Sequence, residues 1–284
     1  YDLVVAGGGI AGMCAAAAAA RNGLKVALVN DRPVLGGNNS SEIRVHLGGY
    51  VEMEPYKGLG RMIREFGHTE KGNARPAESY QDWKKQAFID AEENIDLYAP
   101  YHVIAVDTKA SEIESVTAVH VETGERVRLH GRLFADCTGD GTVGFLAGAD
   151  WTMGRESRDE YGERSAPVKA DDMVMGASVQ WYSRKCPQKT VFPEFSYGVE
   201  FNASNCEKVT MGEWTWETGM NRDQIADAER VRDYGLLVIY SNWSWLKNHS
   251  GDAAYADRSL DWVAYIAGKF PGNEFKSATV HDWI

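Results

Sequence analysis

The sequence predicts an α/β protein: a parallel sheet opened by a βαβ unit, a β-meander beside it, and then an α+β domain. Three observations carry this expectation. A short apolar run, Asp2-Leu-Val-Val-Ala6, leads straight into a glycine turn over 7–12 and an alanine-rich helical stretch. A second apolar run over 24–29 follows at the spacing of a βαβ unit of about 30 residues. Beyond residue 98 the pattern changes to short β-branched runs separated by turn residues.

The first run is bounded by glycine, as a strand buried on both faces is. Residues 13–22 read as a helix, with alanine at 15–20 and Gly23 as its C-terminal cap. A loop rich in Gly, Asn and Ser runs from Asn30 to Ser41. Residues 55–67 and 79–94 read as helices, a helical excursion over about 50–95. In the second of these, Trp83, Ala87, Phe88 and Ala91 share one face, which predicts core packing.

Strands over 103–106, 115–121, 126–129 and 133–135, with a turn at Thr123-Gly-Glu, predict an antiparallel meander. Residues 151–172 mix charges of both signs, as a solvated linker or an excursion to another domain does. Strands are expected at 173–182, 191–201 and 209–216, and helices at 223–248 and 259–267. This divides the chain into a nucleotide domain, 1–150, and a substrate or cap domain, 151–284.

The chain has 284 residues, 44% hydrophobic and 25% charged, enough for one large domain or two. No apolar run approaches the ~20 residues of a membrane span, and the small-residue stretch 12–20 follows a turn rather than a basic leader. The chain begins without methionine and inside a strand, so a leader removed before Tyr1 stays open; cytoplasmic residence is the default expectation. A net charge of -11 argues against a broad nucleic-acid surface. The cysteines (Cys14, Cys137, Cys186 and Cys206) form no CxxC pair, which predicts neither zinc nor a disulfide framework. Cys14 and Cys137 read as small core residues, and no metal constellation stands out.

Chemistry is carried by three elements. Gly7-x-Gly9-x-x-Gly12 is weak by spacing alone in a chain with 29 glycines, but here it joins a buried strand to a helix. Gly7 permits the tight turn, Gly9 lets backbone approach a pyrophosphate, and Gly12 lets helix and strand pack closely. The helix N-terminus at Gly9, Ile10, Ala11 and Gly12 offers unpaired N–H donors to phosphate. The position that usually carries a ribose-binding acid is Asn30, with Asp31 beside it; either is the ribose ligand, with Arg32 nearby for adenine or phosphate.

The second element, Leu35-Gly-Gly-Asn-Asn-Ser-Ser-Glu42, reads either as a polar surface loop or as a loop passing close to a flat ring. In the second reading Gly36 and Gly37 approach the ring, and Asn38, Ser40 and Ser41 hydrogen-bond its edges. The third, Phe134-Ala-Asp-Cys-Thr-Gly-Asp-Gly141, is a strand running into a turn, with Thr138, Gly139 and Asp140 at the turn and a helix over 142–147.

In this order the three elements resemble the FAD-dependent oxidoreductases that share a glutathione-reductase-like FAD domain, a Rossmann-like FAD/NAD(P)-binding fold. The resemblance covers residues 1–150. It implies FAD as cofactor: the first motif binds the ADP half, the Gly-Gly loop approaches the flavin, and the third motif closes the site. It also implies that the backbone of Val103 faces the adenine.

The stretches Arg32-Pro-Val-Leu-Gly-Gly-Asn38, Ser40-Ser-Glu-Ile-Arg-Val-His46 and Met153-Gly-Arg-Glu-Ser-Arg158 are similar to a bacterial subgroup. Some members of that subgroup sit among polysaccharide-degrading systems, which implies a carbohydrate-derived substrate. Such families return to the FAD domain through a C-terminal glycine-rich segment. None is seen before Ile284, and Phe270-Pro-Gly272 stands where the subgroup carries a basic run, so the chain reads as truncated or as holding an incomplete site.

For the reacting centre, Glu42-Ile-Arg-Val-His46 alternates as a strand, with Glu42, Arg44 and His46 on one face. There His46 would remove a proton, and Arg44 would hold a polar substrate or stabilise reduced flavin; the plain alternative is a salt-bridging surface strand. Glu213, Trp214, Trp216 and Glu217 form an aromatic-acidic cluster, read as core or interface packing before sugar or flavin stacking. His102, His120 and His130 are expected to be structural.

The leading expectation is hydride transfer between flavin and a small organic substrate. Its rivals are a non-catalytic dinucleotide-binding module and an NAD-dependent dehydrogenase, which needs neither the Gly36-Gly37 loop nor the third motif. A tRNA-modifying flavoprotein fits the acidity less well.

Overall fold

The structure, a computed structural model, describes residues 1–48, 53–67, 72–212 and 216–269. They fall into two compact units: one from residues 1–67 and 77–152, the other from 72–76 and 153–269.

In the first unit, β1 (Leu3–Ala6) is apolar because both faces of its sheet are covered. It pairs in parallel with β2 (Val26–Val29), which is buried throughout. Between them, α1 (Ile10–Arg21) turns Gly12, Met13, Ala16, Ala17 and Ala20 onto the sheet. The alanine run keeps that helix close to the strands, and Asn22 ends it by donating from its side chain to the Ala18 carbonyl at 2.8 Å.

The sheet is wider than the sequence suggested. α2 (Arg61–Phe66) and α3 (Asp82–Asp90) are shorter than expected. Gln81, at φ 48°, separates a 3-10 turn over Ala77–Tyr80 from α3. After α3, Ile95–Tyr98 forms β3, parallel to β2. The proposed core face of α3 fails except at Phe88, which is buried against Phe66 at 4.7 Å between ring centroids; Trp83 is 67% exposed, and Ala87 and Ala91 are exposed too.

The meander consists of β4 (Tyr101–Lys109), β5 (Glu112–His120) and β6 (Arg126–His130), antiparallel throughout. The run expected as its fourth strand, β7 (Leu133–Asp136), instead leaves it and pairs in parallel with β1. The four-stranded order is therefore β3-β2-β1-β7. Val103, Val116, Ala118 and Leu129 of the meander pack against Val4, Ala6, Ala27 and Val29 of that sheet. α4 (Thr142–Ala147) follows β7.

The second unit contains α5 (Arg158–Tyr161), β8 (Ala177–Ser178), β9 (Trp181–Lys185), β10 (Met211–Gly212), β11 (Glu217–Thr218), α6 (Ala228–Asn248), α7 (Ala253–Ala256), β12 (Arg258–Val263) and β13 (Gly268–Lys269). Its strands form two antiparallel sheets, β10-β9-β12 and β11-β8-β13. In the charged stretch before β8, Arg155 and Asp171 pair through both side chain and backbone.

Two expectations fail here. The segment expected as a helix over 259–267 begins as strand β12: Leu260, Val263, Ala264 and Ala267 imitate helical spacing, but the backbone completes the edge of β9. The segment 191–201 is not a strand, because its backbone is held by side chains of α6. Ser244 Oγ donates to the Pro193 carbonyl at 3.0 Å and accepts the Phe195 N–H at 3.1 Å. Ser241 Oγ accepts the Val199 N–H at 2.9 Å, and Asn242 exchanges two 3.0 Å bonds with the backbone of Glu207. Among the described residues no helix is long and apolar enough to cross a membrane.

Candidate dinucleotide site

A parallel sheet gathers the C-terminal ends of its strands at one edge, and there the first unit brings its three motifs together. The turn after β1 is held between its neighbours: Gly7 N–H donates to the Val29 carbonyl and Cys137 N–H to the Ala6 carbonyl, each at 2.7 Å. Gly7 adopts φ 104°, and a Cβ there would lie 2.2 Å from the Cys137 carbonyl oxygen. At Gly12 a Cβ would stand 1.8 Å from the Gly7 oxygen. These two glycines are demanded by close approach.

Gly9 differs. It caps α1 with extended backbone, no side chain caps the helix, and no acid occupies the first turn. A Cβ at Gly9 would meet nothing within 4 Å. The first-turn amides, including those of Ile10, Ala11 and Gly12, have no intrahelical acceptor by helix geometry. An uncapped, acid-free N-terminus facing open space suits a diphosphate.

The Gly-Gly loop lies directly on this turn. Gly36 N–H donates to the Gly8 carbonyl at 2.9 Å, Gly36 forms a parallel bridge with Gly9, and a Cβ at Gly37 would lie 3.2 Å from the Gly9 Cα. The loop then closes on itself. Ser40 Oγ donates to the Gly37 carbonyl at 2.7 Å, and Val45 N–H to the Asn38 carbonyl at 3.0 Å. Ser41 N–H points to the Asp82 carboxylate at 3.1 Å. Asn39, which the sequence reading passed over, is 3% exposed; its Nδ2 bonds the Val45 carbonyl at 2.7 Å, and its Oδ1 has no hydrogen-bond partner among the described residues.

At the end of β2 the alternatives separate. Asn30 is 4% exposed and fully engaged: Oδ1 accepts the Gly8 N–H, while Nδ2 donates to the carbonyls of Arg32 and Val34. Its amide is an internal staple, with its oxygen and nitrogen both bonded within the protein. Asp31 is exposed and lies 3.7 Å from His102 Nδ1 and 3.9 Å from Arg32 Nε. The imidazole, with help from Arg32, holds the Asp31 carboxyl below the usual carboxylate range, and the carboxylate raises the His102 pKa. His102, expected to be merely structural, thus joins the charged edge. Val103 beside it is buried in β4.

The third motif depends on Asp136, also missed in the sequence. Its carboxylate accepts Thr138 N–H and Oγ–H at 3.1 and 2.7 Å, and the N–H groups of Val143 and Gly144 at 2.7 and 3.1 Å. It thereby fixes the turn and caps α4; an acid at a strand end before Thr-Gly was the available signal. Thr138 Oγ in turn accepts the Asp140 N–H at 3.4 Å, and a Cβ at Gly139 would point into open space. Burial pushes the Cys137 thiol up to about 11, with Asp136 adding to the effect, which suits an inert core thiol.

The strand expected over Glu42–His46 is not formed. Ser41, Glu42 and Ile43 make a turn, Arg44 adopts φ 66°, and its Nε returns to the Ser41 carbonyl at 2.9 Å. Glu42 and Arg44 are buried, Glu42 lies 3.9 Å from Arg32, and His46 is half-buried. The alternation failed because the loop's hydrogen bonds override it, so the three side chains share no strand face. Of the tryptophan cluster, Glu213 and Trp214 lie outside the described residues; Trp216 packs edge-on against Phe201 at 5.3 Å.

Among solved structures the chain is similar to a myxobacterial chondrochloren halogenase, described as a variant of FAD-dependent halogenases: 17% identity over 66% of this chain and 45% of that one, TM-score 0.40. It is similar to the anhydrotetracycline hydroxylase of Streptomyces rimosus, at 19% identity over 70% and 40%, TM-score 0.41. A third is the glycerol-3-phosphate dehydrogenase of Bacillus halodurans complexed with FAD, at 14% identity over 52% and 36%, TM-score 0.36. This chain spans less than half the length of each. No protein of curated function matches it significantly. A family profile described as FAD dependent oxidoreductase matches residues 2–280, nearly the whole chain, and the protein belongs to that family.

Proposed function

We propose that the first unit binds FAD along the C-terminal edge of its parallel sheet, and that the protein moves a hydride between the flavin and a small organic substrate. One observation carries the reading: an uncapped helix N-terminus opening onto free space at Gly9, with the Gly-Gly loop and the Asp136 turn packed on either side. The amides of Gly9, Ile10, Ala11 and Gly12 hold the diphosphate. Asp31 accepts a ribose hydroxyl, Arg32 lies beside the phosphates or adenine, and the backbone of Val103 meets the adenine. Gly36, Gly37 and Asn38 bring backbone close to the ring. Ser40 and Ser41 shape that loop, and Thr138, Gly139 and Asp140 close the site.

When bound, FAD supplies a two-electron acceptor and donor. The protein must orient the substrate and handle its proton. His46, half-buried after the flavin loop, is the proposed proton acceptor, and Arg44 the cation that offsets charge on an anionic substrate or reduced ring. Residues 151–284 are the proposed substrate domain. The test is an absorbance titration of the purified protein with FAD, followed by anaerobic mixing with alcohols, hydroxy acids and sugar derivatives. A saturable flavin spectrum bleached by one substrate class is expected. A protein that binds no FAD, or binds it without reduction by any donor, overturns the proposal.

A further inference from the structure

α3 packs a charged side chain where an apolar one would suffice. Lys85 is 0% exposed, and its stem lies against the flavin loop: a Cβ at Gly36 would come 2.7 Å from its Cδ. Its Nζ donates to the Tyr80 carbonyl at 2.7 Å and lies 3.3 Å from Asp82 Oδ1. The same Asp82 carboxylate receives Ser41 N–H, and Tyr80 Oη donates to the Arg44 carbonyl at 2.5 Å. One helix start therefore touches the loop at Gly36, Ser41 and Arg44.

A buried ammonium is poor at stabilising a fold, since burial opposes its charge and a methionine would fill the same space. What methionine cannot do is hold the Tyr80 carbonyl and the Asp82 carboxylate in register while bracing Gly36. We propose that Tyr80, Asp82 and Lys85 are positioning residues, a clip that sets the Gly36–Arg44 loop at the height required by the isoalloxazine ring of FAD. This deepens the FAD reading and rests on it.

The clip acts chiefly on the flavin side: α1 and the Gly7–Gly12 turn hold the other half of the ligand, and the loop touches that turn only through Gly36 and Gly37. Lys85→Met, Asp82→Asn and Tyr80→Phe are therefore to be titrated separately with FAD and with ADP, and their apo-protein unfolding midpoints compared. The expected result is at least a tenfold loss of FAD affinity, about 1.4 kcal/mol, with ADP affinity changed less than about threefold and the bound flavin's visible band altered in shape. Equal losses for both ligands, or no loss for either, overturn the clip. Tyr80→Phe deletes a single hydroxyl, so it keeps the test decisive if Lys85→Met does not fold. A wild-type protein that binds neither ligand refutes the FAD reading itself; one that binds both, with variants indistinguishable from it, refutes only the clip.

Discussion

The side-chain oxygen of Asn30 accepts the N–H of Gly8 at 3.1 Å, joining the end of β2 to the turn after β1. Removing that amide strands a buried N–H and two carbonyls. Asn30→Leu is expected to destabilise the protein by about 2–3 kcal/mol, read from urea unfolding. Asn30→Asp keeps an acceptor but loses both donors and buries a charge, so it should also destabilise and weaken FAD. Tighter FAD binding by Asn30→Asp would show that the position does reach the ribose.

Gly9 and Gly12 should respond oppositely to the same substitution. Gly12→Ala drives a methyl into the Gly7 carbonyl and is expected to lose at least about 3 kcal/mol, or to fail to accumulate as folded protein. Gly9→Ala meets nothing within 4 Å in the free chain and should melt like wild type. Its methyl would instead occupy the path of the diphosphate, weakening FAD at least tenfold, about 1.4 kcal/mol. Equal melting temperatures for both variants would contradict the geometry.

The Asp31–His102 pair gives stability a pH signature. The His102 pKa is raised in the fold, so its contribution is fully present below the unfolded value of about 6.5 and disappears as pH rises through the folded pKa. The Asp31 pKa is lowered, so its contribution is present above the unfolded carboxylate value and disappears as pH falls through the depressed one. NMR titration should find the His102 imidazole above its ordinary pKa. In Asp31→Asn it should return toward that value, flattening stability between the two. An unchanged His102 titration would disprove the pairing.

In the second unit, Lys247 Nζ donates to Thr190 Oγ1 at 2.8 Å and to the carbonyls of Tyr255, Ala256 and Arg258 at 2.7, 3.2 and 2.9 Å. Lys247→Met leaves those acceptors without their cation. Chemical denaturation should show a loss of about 2–3 kcal/mol, with no change in FAD affinity. A variant as stable as wild type would mean water replaces the ammonium.

The opening βαβ unit was legible because its signals are local: a strand without charges, glycines at a turn, alanines on one helix. The helix over 142–147 was read at its observed bounds for the same reason. β3 was missed because Asp96 interrupts its apolar run. β7 was assigned to the wrong sheet because pairing partners 130 residues apart in sequence, Leu3 and Leu133, leave no local mark. At the site, the glycines announced themselves, whereas Asp136, Asp82 and Lys85 act through partners that only the folded chain supplies. The alternation of Glu42, Arg44 and His46 was a true pattern with a false cause.

The segment from Pro193 to Glu207 is fastened to α6 by separate side chains rather than by a ladder of paired backbone. In a ladder, one inserted residue displaces the register of everything after it. Between independent rivets, extra length can bulge outward while each anchor keeps its seat. This stretch can therefore be lengthened, shortened or redecorated during evolution without the helix or the neighbouring sheets having to answer.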